Sequence, residues 1–321
     1  MKLLTIRTRG GGRLYVVGMR RDKTAMGDLH AIVGAGARDA LIAAFDAAQR
    51  SIDAAYYSID DRRVIDSLRR AAQRRVDVRI HIEGDPHRYD AARKALAGAP
   101  LETVRFIRES GAAELHAKAA VVDGERAFVS TANAAPSGFS QPGEALIEDD
   151  RAADVRAIED SIAGQTAGSS RVVCGPSGAV RARITALLDS PRDIDVAAED
   201  LSDCGVIATL QRRRAAGHED RILVNRGMST YERRELRKLA DAGVGVRVCR
   251  SDAFMHDKFI DAGDRLYVGS ANLTRNGLDE AREIGIVAQA ADFDDGGRRL
   301  RLQFDEMWAA GRPLTRRELG K

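Results

Sequence analysis

Apolar positions along this chain follow two periods, one of two residues and one of three to four, in alternating segments. Residues 3–8 and 13–17 run or alternate apolar around Gly10-Gly11-Gly12, which predicts a β-hairpin. Leu41, Ile42, Phe45 and Ala48 then share one face of a helix over Ala37–Gln49. A strand over Ile52–Ile59 follows. Next come a helix over Val64–Arg75 with Val64, Ile65, Leu68 and Ala72 inward, and a strand over Val76–Glu83. A helix near Tyr89–Leu96 and a short strand near Thr103–Ile107 complete this run. Gly164–Ser170 is small and polar and reads as a linker.

Beyond the linker the order restarts. Helices are predicted over Ala179–Leu188, Val206–Arg214 and Tyr231–Asp241, and strands over Ile194–Glu199, Arg221–Asn225 and Gly245–Cys249. Ile52-Asp53-Ala54-Ala55 matches Ile194-Asp195-Val196-Ala197, and the same offset relates Leu68 to Leu210 and Tyr89 to Tyr231. A constant offset across elements of different type indicates one unit copied, with halves at residues 1–165 and 166–321. Alternating strands and helices predict an α/β fold, each half a mixed sheet flanked by helices. Arg298–Trp308 reads as a final packing helix, with Leu300, Phe304, Met307 and Trp308 on it.

The polar residues that interrupt the apolar pattern are themselves repeated. His116-Ala117-Lys118 opens one strand, and alternation puts His116 and Lys118 on the same face. A turn at Asp123-Gly124 and a second strand lead to Thr131, Asn133 and Glu144. His256-Asp257-Lys258 opens a matching hairpin that leads to Ser270, Asn272 and Glu283. The His-to-Asn spacing differs by one residue between the copies, and the Asn-to-Glu spacing is identical. One HxK is weak, because any polar pair on a strand produces it; two copies with matched followers are not.

With His116, Lys118 and Asp123 in the pattern H-x-K-x4-D, and Gly269-Ser270-Ala271-Asn272 in the pattern G-S-x-N, the chain resembles the phospholipase D superfamily. The resemblance covers most of the chain. It implies a duplicated α-β-α sandwich whose two motifs meet across a pseudo-two-fold interface, forming one site within one chain. It also implies His116 as nucleophile and His256 as acid/base, although the residues themselves leave that order open. Lys118 and Lys258 would hold non-bridging phosphoryl oxygens. Asn133 and Asn272, with Thr131 and Ser270, would add phosphate donors. Glu144 and Glu283 would each accept Nδ1–H of a histidine, as a triad carboxylate does.

Two departures stand out. Ser130-Thr131 replaces Gly-Ser in the first copy, and Gly263 occupies the expected Asp position in the second. Strand parity makes Asp261 the better counterpart of Asp123, with Asp264 second; an Asp at a strand–turn junction reads as structural. Glu83, with Gly84 and Asp85, ends a strand near the expected site and reads equally as pocket lining or plain turn. His30, His81, His87 and His218 lack a repeated motif and read as surface or packing residues.

Composition narrows the reading. A net charge of +3 permits a polyanionic partner without demanding one. Arginine-rich helical stretches (Arg69-Arg70 with Arg74-Arg75, Arg212–Arg214, and Arg233-Arg234 with Arg237-Lys238) make nucleic acid the first substrate expectation. Phospholipid is the second, with water or an alcohol as acceptor, and a non-catalytic nucleic-acid-binding module is the third. Aromatic residues make up 5%, so no base-stacking platform is evident. No cluster of carboxylates suited to a metal surrounds the motifs, so neither metal nor cofactor is expected. The cysteines Cys174, Cys204 and Cys249 lack CxxC spacing and read as small buried residues in a reducing compartment. No long apolar run or secretory signal is present, and a cytoplasmic location is the expectation.

Overall fold

Two mixed β-sheets of the same topology organise the chain, seen here in a computed structural model. It describes residues 4–7, 13–16, 27–83, 90, 94, 104–108, 113–165, 168–250, 254–315 and 317–319. The predicted N-terminal hairpin is present as β1 (Leu4–Arg7) and β2 (Arg13–Val16).

The first sheet contains β3 (His30–Val33), β4 (Ser51–Tyr56), β5 (Asp77–Ile82), β6 (Val104–Arg108), β7 (Lys118–Val122), β8 (Arg126–Ser130) and β9 (Ala145–Asp149). Its order is β3-β9-β8-β7-β4-β5-β6, antiparallel up to β4 and parallel thereafter. The second sheet contains β10 (Val172–Cys174), β11 (Asp195–Ala198), β12 (Arg221–Val224), β13 (Gly245–Val248), β14 (Lys258–Asp261), β15 (Arg265–Gly269), β16 (Ile284–Gln289) and β17 (Arg312–Pro313). Its order repeats the first, β10-β16-β15-β14-β11-β12-β13, with β17 added at the edge. The duplication is thus present strand for strand.

Helices cover both sheets. On the first sheet's outer face lie α1 (Ala35–Ala47) and α2 (Arg62–Gln73), burying Leu41, Phe45, Val64 and Leu68 against Ile52, Ala54 and Tyr56. On the second lie α4 (Ala179–Leu188), α5 (Cys204–Ala215) and α6 (Thr230–Asp241), burying Ile184, Leu210 and Leu236 against Val196 and Val224. The two inner faces share a third core with α3 (Ala152–Ile162) and α7 (Arg298–Ala310), which contribute Val155, Ile158, Leu300 and Phe304. The expected duplicated sandwich is therefore what forms, with its inner helices shared. The helix expected near Tyr89–Leu96 lies outside the described residues.

Several elements escape the apolar pattern. β3 and β10 are short, and β10 and β16 are apolar on both faces, so no alternation marks them. The inward stripe of α3 includes Asp154 and Ser161, which read as solvent-facing until their partners are seen. Cys174 and Cys249 are buried as expected, but Cys204 is exposed, at the first turn of α5.

Asp154 belongs to a buried charge network that ties the halves together. Arg171, beside β10, donates to Asp154 at 2.7 Å, to Asp149 at the end of β9 at 3.1 Å, and also to Asp28. Burial pushes the Asp149 carboxyl up to about 7, aided by the charge of Asp154 and opposed by Arg171. Removing Arg171 takes the cation from two buried carboxylates, Asp149 and Asp154, and from the more exposed Asp28. Arg171→Met is expected to cost about 3–5 kcal/mol, read from the shift in denaturant midpoint. Because its folded pKa is raised, Asp149 takes up a proton on folding between about pH 4 and 7, so its contribution falls as pH rises. The loss in the variant is therefore expected to be greater at pH 8 than at pH 5.

Candidate active site

The motif histidines, lysines and glutamates gather where one end of each sheet faces the other. Tyr57, Glu83 and Glu199 directly follow β4, β5 and β11; Lys118 and Lys258 begin β7 and β14; Glu144 and Glu283 directly precede β9 and β16. His116 and His256 lie two residues before their strands, in extended segments rather than on the strands themselves. The segment before β7 reaches across to the other half. Leu115 pairs with Arg282, His116 N donates to Arg282 O at 3.0 Å, and Arg282 N donates to Glu114 O at 2.7 Å.

That crossing sets the partners. His116 Nδ1 lies 2.9 Å from Glu283 Oε1, a residue of the second half. His256 Nδ1 lies 3.1 Å from Glu144 Oε1, a residue of the first, though off the direction of a hydrogen bond. Each histidine thus faces the other half's glutamate. Gly143 makes the second approach possible: at φ 85° it lies against Asp257, whose Cβ would stand 2.5 Å from a Cβ added there. Burial pushes the Asp257 carboxyl up to about 8, so it is largely neutral where Ala117 stands in the first half.

Thr131 and Ser270 are placed differently from the sequence expectation. Both are fully buried, and their hydroxyls donate to Glu144 and Glu283. They orient the carboxylates instead of offering donors to a phosphate. Asn133 and Asn272 each hold a buried Oδ1 without a partner, and Asn272 lines the site. A half-turn of the carboxamide puts an N–H donor in the same place, so both amides retain unspent hydrogen-bonding capacity.

The lysines are the most buried cations of the cluster. Lys118 Nζ donates to His116 O at 2.5 Å and Lys258 Nζ to His256 O at 2.8 Å. Burial lowers the Lys118 ammonium to about 7, with Lys258 acting in the same sense and Glu283, Glu199 and Glu144 opposing. Charges from both halves therefore act on one ammonium, as a single shared site requires. Burial also lowers the pKa of His256, assisted by Lys258 and opposed by Glu144 and Glu199. Burial resists ionisation of Glu283, but His116 and Lys118 hold its carboxyl below the usual range. A polar recess of about 180 Å³ opens beside His116, lined by Glu114, Asn272, Thr274, Asn276 and Glu283.

Two residues of the site were not singled out from the sequence. Tyr57 packs edge-on against the His116 ring, with centroids 5.0 Å apart. Glu199 accepts from Lys258 at 2.5 Å and lies 3.3 Å from His256 Nε2. The signal that locates both is their common place one residue beyond β4 and β11. Glu83 lies between the two readings given for it: its Oε2 accepts from Leu115 N at 2.6 Å and so braces the strand leading into His116. Gly84, Asp85 and His87 lie outside the described residues. His30 pairs with Asp294 and His218 with Asp193, and His81 is buried in β5.

Asp123 and Asp261 serve the framework. Asp123, at φ 58°, accepts from the backbone N–H groups of Gln49, Arg50 and Ser51, which hold its carboxyl below the usual range despite burial. Asp261 does not repeat this. It lies opposite Asp195, accepts from Arg301 at 2.6 Å, and anchors α7. The hairpin of the second copy is shorter, which leaves Gly263 at the turn. Asp123→Ala is expected to cost about 1–2 kcal/mol, a partly solvated carboxylate losing several backbone donors, while turnover per folded molecule stays within twofold. Because the folded pKa is lowered, this stabilisation is present above the ordinary carboxylate pKa and is lost on acidification through the folded value. Denaturation at pH 7 and at pH 3 checks both points.

The arginine clusters do not face the site. Arg69 and Arg70 pair with Asp66 and Asp46 on the outer layer of the first sheet. Arg213, Arg214, Arg234 and Lys238 pair with Asp220, Glu219 and Glu235 on the outer layer of the second. No described helix is long and apolar enough to cross a membrane.

Comparison with known proteins reproduces the duplication. A family model described as cardiolipin synthase, PLD-like domain, matches residues 41–164 and again residues 184–308, more than half of the chain. Phosphatidylserine synthase from Haemophilus influenzae Rd KW20 is similar in structure over 89% of this chain and 87% of its own, with a TM-score of 0.67 and 14% identity. Polyphosphate kinase from Porphyromonas gingivalis is similar over 86% of this chain, with a TM-score of 0.63 and 18% identity. The chain spans 50% of that kinase's length. Nuc, a phospholipase D family member from Salmonella typhimurium, matches 44% of this chain with 95% of its own, with a TM-score of 0.41 and 18% identity. No curated protein matches the sequence. At these identities the structural likeness is one of fold.

Proposed function

Because the chain belongs to the phospholipase D superfamily, we propose that it breaks a phosphodiester through a phosphohistidine intermediate formed on one of its two paired histidines. The crossed histidine–glutamate pairs, each joining the two halves, carry this reading. Glu283 fixes Nδ1–H of His116 and leaves the Nε2 lone pair to attack phosphorus. As the P–N bond forms, the P–O bond to the leaving group breaks, and His256 gives its Nε2 proton to that oxygen. Water then attacks the phosphohistidine and passes its proton to His256. The P–N bond breaks, and its electron pair returns to His116 Nε2. The bound phosphodiester anion raises the depressed pKa of His256 and so favours the protonated acid that the first step needs. Lys118, Lys258 and the amides of Asn133 and Asn272 receive the non-bridging oxygens. The halves divide at residues 165 and 166, and neither carries a complete site alone.

Phospholipid takes precedence over nucleic acid as the substrate. Nucleic acid rested on the arginine clusters, and Arg69, Arg70, Arg213, Arg214, Arg234 and Lys238 of these are paired with carboxylates on the outer layers. The family model's description as cardiolipin synthase, and the likeness to a phosphatidylserine synthase over nearly its whole length, both accord with a lipid diester. The test presents phosphatidylglycerol and phosphatidylcholine vesicles, single- and double-stranded DNA, and RNA to the protein in EDTA, with and without an added alcohol. Lipid turnover is expected, with a transfer product when alcohol is present. Cleavage of nucleic acid alone would return the first place to a nuclease, and activity that vanishes in EDTA would overturn the metal-free chemistry.

A further inference from the structure

The two half-sites are not equivalent in charge. Tyr56 pairs with Lys118 across β4 and β7, and Ala198 pairs with Lys258 across β11 and β14. The next residue on each strand is Tyr57 in one half and Glu199 in the other. Tyr57 offers Lys118 an aromatic face, with Nζ 5.5 Å from the ring centre. Among the described residues no carboxylate comes within ion-pair distance of this ammonium. Glu199 instead neutralises Lys258 directly and faces Nε2 of His256, the atom that meets the leaving oxygen. It is ionised at every physiological pH, because Lys258 and His256 hold it down to about 2 against its burial.

We propose that Glu199 sets the charge the site accepts, admitting a singly charged phosphodiester and rejecting a doubly charged phosphomonoester. Glu144 and Glu283 lie at the Nδ1 side of the two rings, whereas Glu199 lies at Nε2 of His256, where the phosphoryl group is handled, beside Lys258. A single anionic charge is met there by Lys258 and by the proton that His256 carries in the first step. A second meets a fixed carboxylate at short range in a poorly solvated pocket, where like charges repel strongly. Glu114, which lines the recess beside His116 and accepts from Asn276 Nδ2 at 2.8 Å, adds a further negative charge on that side. The reaction itself converts a monoanionic diester into a dianionic monoester. Glu199 therefore favours release of the phosphorylated product and limits inhibition by free phosphate.

The inference takes its substrate from the phosphodiester reading above, but its test needs no turnover. Phosphorus NMR titrations compare inorganic phosphate at about pH 8, where it is a dianion, with dimethyl phosphate, a monoanion. In Glu199→Gln the affinity for inorganic phosphate is expected to rise at least tenfold, with dimethyl phosphate changing less than threefold. A gain of binding is not produced by a poorly folded protein. Glu199→Tyr, which restores the residue of the first half, is expected to behave likewise. The wild-type protein gives an independent measure: its phosphate affinity is expected to increase from pH 8 to pH 5.5 more than that of Glu199→Gln. Unchanged or weaker phosphate binding in both variants, or an equal gain for both ligands, overturns the proposal. If no diester is turned over but the phosphate result appears, the hydrolytic reading fails and this one stands. If diesters are turned over and phosphate affinity does not move, only this one fails.

Discussion

In a His116→Ala variant, turnover of any phosphodiester substrate is expected to fall by about 10⁴-fold or more under the proposed mechanism, because the group that forms the P–N bond is gone. His256→Ala is expected to lose about 10²–10⁴-fold, the usual range for a general acid–base. The two losses differ in kind as well as size. With an aryl phosphodiester the leaving group needs no proton, so His256→Ala retains the first step and stalls at the second. It should release about one equivalent of phenol per site in a burst and accumulate an acid-labile phosphoprotein. His116→Ala should give neither burst nor label. Glu199 lies beside His256 Nε2, and among the described residues no carboxylate lies within ion-pair distance of His116 Nε2, which supports this order of roles. A burst from His116→Ala and none from His256→Ala would exchange the two histidines while leaving the chemistry in place. Equal bursts from both would end the phosphohistidine mechanism.

Much of the framework is legible in the amino-acid sequence. Strand alternation predicted that His116 and Lys118 act from one place, and repetition with His256 and Lys258 predicted a paired site. What escaped depends on contacts that spacing does not encode. Glu144 stands at the same distance from Asn133 as Glu283 does from Asn272, whichever histidine each one meets. Only the pairing of Leu115 with Arg282 across the halves makes the assignment crossed. Thr131 and Ser270 occupy the expected turns, but their hydroxyls point to the core side, where a glutamate is the nearest acceptor. Glu199 was hidden because its counterpart is a tyrosine, so a search for repeated chemistry passes over it. The arginine runs are conspicuous in sequence, but Arg70, Arg214 and Lys238 among them are balanced by acidic neighbours from adjacent turns and helices, which spacing does not reveal. Asp261 satisfied strand parity yet took a different task, since shortening the hairpin moved the turn and left its carboxylate facing Arg301.

The crossed arrangement has a kinetic consequence that separates the two glutamates. Glu283→Gln keeps shape and removes the charge that holds His116 in its attacking tautomer. About 10³-fold or more of turnover is expected to go, the order seen when a triad carboxylate becomes an amide. Because Glu283 serves the nucleophile, the loss should fall on the burst phase with an aryl ester. Glu144→Gln should leave that burst within a few fold and slow the hydrolytic phase, since its partner is the acid/base His256. Each amide variant should add little to the loss caused by alanine at its own histidine, because two changes along one interaction do not multiply. Thus Glu283→Gln with His116→Ala is expected to match His116→Ala alone, whereas Glu283→Gln with His256→Ala should reduce the residual burst further. If each glutamate instead served the histidine of its own half, Glu144→Gln would suppress the burst and Glu283→Gln would spare it. Rapid-quench kinetics on these single and double variants distinguishes the patterns. It reads the interface between the halves directly, since a carboxylate from one half controls a bond-forming step on the other.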